Sequence, residues 1–184
     1  MRSIGTVRFV AFAALALVIG GATTARAAEY ADKVSGLTIT AGDAWKQTQQ
    51  AKDDATERMQ LESGKPAAPD TYYVFKVGHV VEKTVDSAKA FKDEMVKMFP
   101  KEWKMGEITD VTVGKDKVAA LKIPYTFSME GFDWKMELYL FKRGDQFTYF
   151  QVMSLAKGWD AADKAFQDLI TTAAIEPKGG TATK

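Results

Sequence analysis

Between residues 108 and 154 the chain is little but alternating runs broken by turn residues, and no other stretch limits the fold as tightly. The run 108–113 passes through Gly114-Lys115-Asp116 into 118–129. Glu130-Gly131-Phe132-Asp133 turns the chain into 134–142, and Arg143-Gly144-Asp145 leads into 147–154. Successive side chains of a strand point to opposite faces, so such alternation marks strands. Turn residues between consecutive runs predict hairpins, hence an antiparallel meander of four strands. Pro124 has no amide hydrogen to give a neighbour, which predicts a bulge or an unpaired edge position for it.

The first half adds several strands and a helix. Leu37 and Ile39 alternate with polar neighbours over 34–40, Ala41-Gly42-Asp43 forms a turn, and 45–49 forms a short second strand. A polar loop covers 49–56, 58–63 alternates again, and Pro66 and Pro69 mark a loop. The run 72–81 is rich in aromatic and β-branched residues and apolar on both faces, which predicts a central strand. Ala88, Phe91, Met95 and Met98 recur at helical spacing over 87–99, with Asp86 or Ser87 as cap and Pro100 as stop. A second helix over 161–174 turns Ala162, Phe166, Leu169, Ile170 and Ala173 inward, with Asp160 as its expected N-cap. Two amphipathic helices must bury their stripes against the sheet. The expected fold is therefore α+β, in the order β-β-β-α-β-β-β-β-α. A mainly antiparallel sheet of about six to seven strands carries one helix on each face.

The N-terminus reads as an address. Arg2 and Arg8 precede an unbroken apolar run over 9–19, which leads to Gly20-Gly21 and the small-x-small pattern Ala25-Arg26-Ala27. These are the three parts of a secretory signal peptide in order, and the run is shorter than the roughly 20 residues a membrane helix needs. Cleavage is expected after Ala27, leaving one domain over 28–177 and a polar, disordered tail over 178–184. The product is expected in the periplasm of a Gram-negative bacterium or secreted, with no stable membrane anchor. Removing Arg2, Arg8 and Arg26 takes the formal charge from +1 to slightly acidic, which gives no reason to expect nucleic acid.

The stretch Gly36-Leu37-Thr38-Ile39, the turn that follows it and Trp45 resemble the PsbP-like fold and the DcrB-like exported proteins of bacteria. The strand at Tyr72, the helix at Ser87, the meander and the terminal helix at Asp160 extend the likeness over most of the mature chain. Bacterial lipoproteins of this group carry an anchoring cysteine, which this chain lacks. Relatives include a photosystem accessory subunit and a nuclear-import factor that binds a small GTPase, so the resemblance implies a binding or accessory role. It carries over no functional residue.

The chemistry points the same way. With no cysteine and one histidine, disulfides, thiolate metal sites, cysteine nucleophiles and paired-histidine metal sites are excluded. No nucleophile elbow, phosphate loop or dinucleotide fingerprint occurs. His79 shares its strand face with Phe75, Val77 and Val81 and reads as a structural histidine. Asp53, Asp54 and Glu57 match no calcium loop and read as a solvated cluster. Met95 and Met98 suit core packing better than copper. No cofactor or metal is expected. The aromatic residues remain: Phe132 falls in an expected turn, Trp134 follows two positions on, and Trp103 comes after the Pro100 break. We expect Phe132, Trp134 and Trp103 to bind a partner, with 130–135 as the contact tip. The leading expectation is a non-enzymatic accessory protein that binds an envelope protein. One alternative is a binder of a small apolar molecule or lipid, in a pocket lined by Phe91, Met95, Met129 and Trp134. Another is a hydrolase whose two acids meet in one cleft.

Overall fold

Strand β8 (Val118–Met129) and strand β9 (Phe132–Arg143) pair from Leu121 opposite Leu140 to Met129 opposite Phe132. Only Glu130 and Gly131 lie between them, both left-handed with φ of 54° and 81°, as a two-residue type I′ hairpin requires. The expected four-residue turn is thus too wide, and Phe132 belongs to a strand. The protein is described by a computed structural model over residues 27–52, 55–64, 71–81, 87–97 and 99–176. The expected leader and tail lie outside these residues.

Strand β9 pairs on its other side with β10 (Gln146–Leu155), which pairs in turn with β5 (Tyr73–Val81). Beyond β5 come β4 (Glu57–Ser63) and the edge strand β3 (Trp45–Gln50). The outer edge of β8 carries two segments, β6 (Lys104–Met105) and β7 (Thr109–Val113). Pro124 lies at the break between them, where its carbonyl accepts the Gly106 N–H at 2.9 Å. It therefore occupies an edge position where no amide hydrogen is needed. All pairings are antiparallel, and β5 is interior as expected.

The strand count differs from expectation. The described residues form eleven strands in two sheets, eight in the large one and three in a small one of β1 (Ala28–Asp32), β2 (Leu37–Ala41) and β11 (Ala174–Ile175). The additional strands are short or weakly patterned: β6 and β11 have two residues each, and β1 reads Ala-Glu-Tyr-Ala-Asp. Pairing rather than propensity makes them strands.

Helix α1 (Ala88–Lys97) starts after Ser87, whose hydroxyl accepts the Ala90 N–H at 3.2 Å. Helix α2 (Trp159–Thr172) continues from a 3-10 turn over Ala156–Gly158. Asp160 lies in its first turn and is not the cap; the capping position is Gly158, with no side-chain cap bond. Asp160 still complements the positive end of the helix dipole. The helices cover opposite faces of the large sheet. Phe91 of α1 stacks on Phe147 with centroids 4.3 Å apart, within a core of Leu121, Ile123, Met136, Leu138 and Leu140. Phe166 of α2 packs against Trp45, Tyr73 and Trp159, within a core that also takes Leu37 and Ile39 of the small sheet. Each such phenylalanine contributes about 2–3 kcal/mol by leaving water.

Buried polar groups fix the small sheet to the large one. The Asp32 carboxylate meets Arg58 Nη2 of β4 at 3.0 Å. Arg143, at the end of β9, donates to the carbonyls of Glu176 and Val34. Gly36 (φ 61°) lies against that guanidinium, where any Cβ would overlap it.

Candidate contact site

Alternate residues of β8 and β9 build an apolar strip on the α1 face, and the register sets its rows. Tyr125 lies opposite Met136, Phe127 opposite Trp134, and Met129 opposite Phe132. The inner rows are covered. Trp103 stacks on Phe127 with centroids 3.9 Å apart and planes within 5°, and Phe99 packs against both Trp103 (5.5 Å) and Tyr125 (4.8 Å). The outer row is not covered: Met129 is 43% exposed and Phe132 45%. Met105 of β6, opposite Tyr125, is 45% exposed.

The three expected contact residues thus meet in one strip. Phe132 and Trp134 are two positions apart on one face of β9, and Trp103 stacks on the residue opposite Trp134. Phe132 is solvent-exposed and does not fold back into the core, while Trp103 and Trp134 are half-buried. Sequence reasoning missed Met129 and Met105 as members of this surface. Recognising Glu130-Gly131 as a two-residue turn would have set Met129 opposite Phe132. Met105 had no such signal, because two residues carry no period.

Two open cavities flank the tip. One, of about 430 Å³, is lined by Lys104, Thr126, Phe127, Ser128 and Trp134 among others. The second, of about 290 Å³, takes in Phe132, Leu155 and Lys157. Both touch Asp133 and Ala156. Indole Nε1 of Trp134 and the Tyr125 hydroxyl are buried with no hydrogen-bond partner among the described residues, and burial pushes the Tyr125 phenol above its ordinary pKa.

The polar groups around the tip can be placed one by one. Ser128 Oγ donates to Asp133 Oδ1 at 2.6 Å, but the pair has no imidazole: His79 is buried on β5, opposite Thr148 of β10. Glu102 and Asp133 reach the larger cavity, both solvent-exposed. An acid and a base of like chemistry are set apart by unlike environments, and two exposed carboxylates share one. The expected small-molecule pocket is not assembled from its described members. Phe91 is buried against Phe147, Met129 is exposed, and Trp134 lines the tip cavity. The Met95 side chain and Met98 lie outside the described residues, as do Asp53 and Asp54. Glu57 pairs with Lys76 at 3.2 Å. Among the described residues, no three potential ligands cluster to hold a metal, and no helix is long and apolar enough to cross a membrane.

No family model matches the chain, and no curated protein matches it. Solved structures do match. LpqN of Mycobacterium tuberculosis, which is involved in cell envelope biogenesis, superposes with a TM-score of 0.57 at 13% identity, over 84% of this chain and 92% of its own. The cyanobacterial PsbP of Synechocystis gives 0.55 at 11% identity, over 85% of this chain and 96% of its own. The fold is PsbP-like. A protein of Bacteroides thetaiotaomicron gives 0.53 at 11% identity over 83% of this chain and 49% of its own, so this chain spans about half the length of that protein. At such identities the likeness is one of fold, and function has to be argued from the tip.

Proposed function

We propose that this chain is an exported accessory protein, without catalytic machinery of its own, that docks on an envelope protein through the β8–β9 tip. The observation that carries the reading is the outer row of the strip. Met129 and Phe132 stand side by side at the end of a tight hairpin, each close to half exposed. Among the described residues the exposed large apolar side chains are Val81, Met105, Met129 and Phe132, and three of these four belong to one strip. Scattered exposed apolar residues need no explanation, but a contiguous group on a rigid element marks an interaction surface. Export rests on the leader pattern of Arg2, Arg8, the apolar run and Ala25-Arg26-Ala27.

A photo-crosslinking residue placed at Phe132 in the full-length chain in living cells tests this reading. The docking surface requires a discrete crosslinked species from position 132 and none from Val81, an equally exposed apolar position at the far end of the sheet. Equal labelling from both positions, or from neither, would sink the proposal.

A further inference from the structure

With no cysteine, methionine carries all the sulfur in this chain. The methionines with described side chains divide by exposure. Met59 is 1% exposed and Met136 0%, Met153 is half-buried, and Met105 and Met129 are 45% and 43% exposed. Both exposed thioethers belong to the contact strip. Met129 faces Phe132 across the hairpin, Met105 faces Tyr125 from the edge strand, and the Trp103–Phe127 stack lies on the row between them. The protected thioethers are core residues. Among the methionines with described side chains, the exposed ones are therefore those that a docked partner would cover.

We propose that Met105 and Met129 form a reversible oxidation switch on the contact surface, responding to hydrogen peroxide. This rests on the reading of the tip as that surface. With a peroxide, a sulfur lone pair attacks one oxygen, the O–O bond breaks, and the second oxygen leaves as water. The sulfur loses two electrons and the peroxide gains them, giving methionine sulfoxide. A dithiol reductase reverses the step: the sulfoxide oxygen leaves as water and the dithiol becomes a disulfide. Oxidation replaces a soft apolar group with a polar S=O acceptor. Beside Phe132 that oxygen would have to leave water on docking, so contact with an apolar surface weakens by roughly tenfold.

Hydrogen peroxide treatment of the purified protein, followed by peptide mass spectrometry over time, tests the chemistry. Met105 and Met129 should convert roughly tenfold or more faster than Met59 and Met136. Equal rates for the buried pair overturn the proposal. Retention on phenyl-agarose tests the consequence. It should fall on oxidation, recover with methionine sulfoxide reductase, and stay unresponsive to peroxide in the Met105→Leu/Met129→Leu protein. Unchanged retention at full conversion of both residues, or a peroxide response that survives in the double variant, overturns the switch. Phe132→Ser tests the underlying surface separately. Lost retention supports it, and unchanged retention removes the contact reading whichever sulfurs oxidise.

Discussion

Asp32→Asn probes how the small sheet is held to the large one. The Asp32 carboxylate accepts Arg58 Nη2 at 3.0 Å and Nε at 3.3 Å, the Ser35 N–H at 2.9 Å and Gln50 Nε2 at 3.2 Å. Both side chains of the ion pair are only 2% exposed. Removing one partner of such a pair strands the other charge in the interior, at about 3–5 kcal/mol. Arg58 has little in reserve, since its Nη1 lacks an acceptor among the described residues and its Nη2 otherwise reaches only the Ala51 carbonyl, at 3.5 Å. We expect Asp32→Asn to lose about 3–5 kcal/mol at pH 7, and the double replacement Asp32→Leu/Arg58→Met to recover most of it, because an apolar pair strands no charge. Urea denaturation followed by tryptophan fluorescence measures both, with buried Trp45 on the adjacent edge strand as a reporter. The pH dependence has a definite sign. Burial pushes the Asp32 carboxyl up, but hydrogen bonds from Arg58 and Ser35 outweigh it and hold the carboxyl below its ordinary value. The native state thus binds its proton at lower pH than the unfolded chain. The contribution is complete above about pH 4 and fades as the pH falls through the lower native value. The gap between wild type and Asp32→Asn should close over that acid range. A loss under about 1 kcal/mol at pH 7, or a gap that persists undiminished into strong acid, would refute the reasoning.

Three further outcomes are expected. Gly36→Ala should cost about 2 kcal/mol or more in the same urea assay, since it forces a left-handed alanine at φ 61° into the Arg143 guanidinium. Phe132→Ser should change stability by less than about 0.5 kcal/mol, whereas Phe91→Ala, which empties the stack on Phe147, should cost about 3–5 kcal/mol; thermal melts separate the two. Burial and the hydrogen-bonded Glu62 carboxylate push the Tyr72 phenol up to about 12, so Glu62→Gln should lower its titration part of the way, the burial remaining, read by tyrosinate absorbance as a difference from Tyr72→Phe.

How much of this was legible in the sequence depended on the length of the period. The meander and the interior strand β5 announced themselves because five or more alternating residues leave few other foldings. The inner face of α2 was legible for the same reason, and Ala162, Phe166, Leu169 and Ile170 are all buried. The small sheet was not legible. Its outer strand β1 alternates only weakly, β11 has two residues, and what fixes them is Asp32 meeting Arg58 and Arg143 reaching Val34 and Glu176, across 26, 109 and 33 positions of chain. No local pattern encodes a contact of that separation. At the tip, Phe132 was recognised as anomalous for an apolar residue at a turn. Its partner Met129 depended on a register that a one-residue change in turn length would reverse.

The two ends of β9 follow from one division of labour. Its C-terminal end is tied down by Arg143 bonding across to the small sheet, at Val34 in the β1–β2 turn and at Glu176 just after β11. Its N-terminal end carries Phe132, roughly 35 Å away for a strand of this length. A contact residue is useful only if its position is fixed before the partner arrives, because ordering a loose segment on binding consumes affinity. Here Phe132 begins a strand paired on both sides within a few residues, to Met129 directly and to β10 from Trp134 onward. The tight Glu130-Gly131 turn removes the remaining slack. The hairpin can therefore leave two apolar side chains in water without loosening. The cost of exposing them is small beside that of losing the buried Asp32–Arg58 pair, which ties β1 to β4. Under the proposed docking, stability and recognition fall on residues that can be changed separately. For that reason Phe132→Ser and Asp32→Asn should show opposite profiles: lost phenyl-agarose retention with native stability in the first, and lost stability in the second with retention kept under conditions where it still folds.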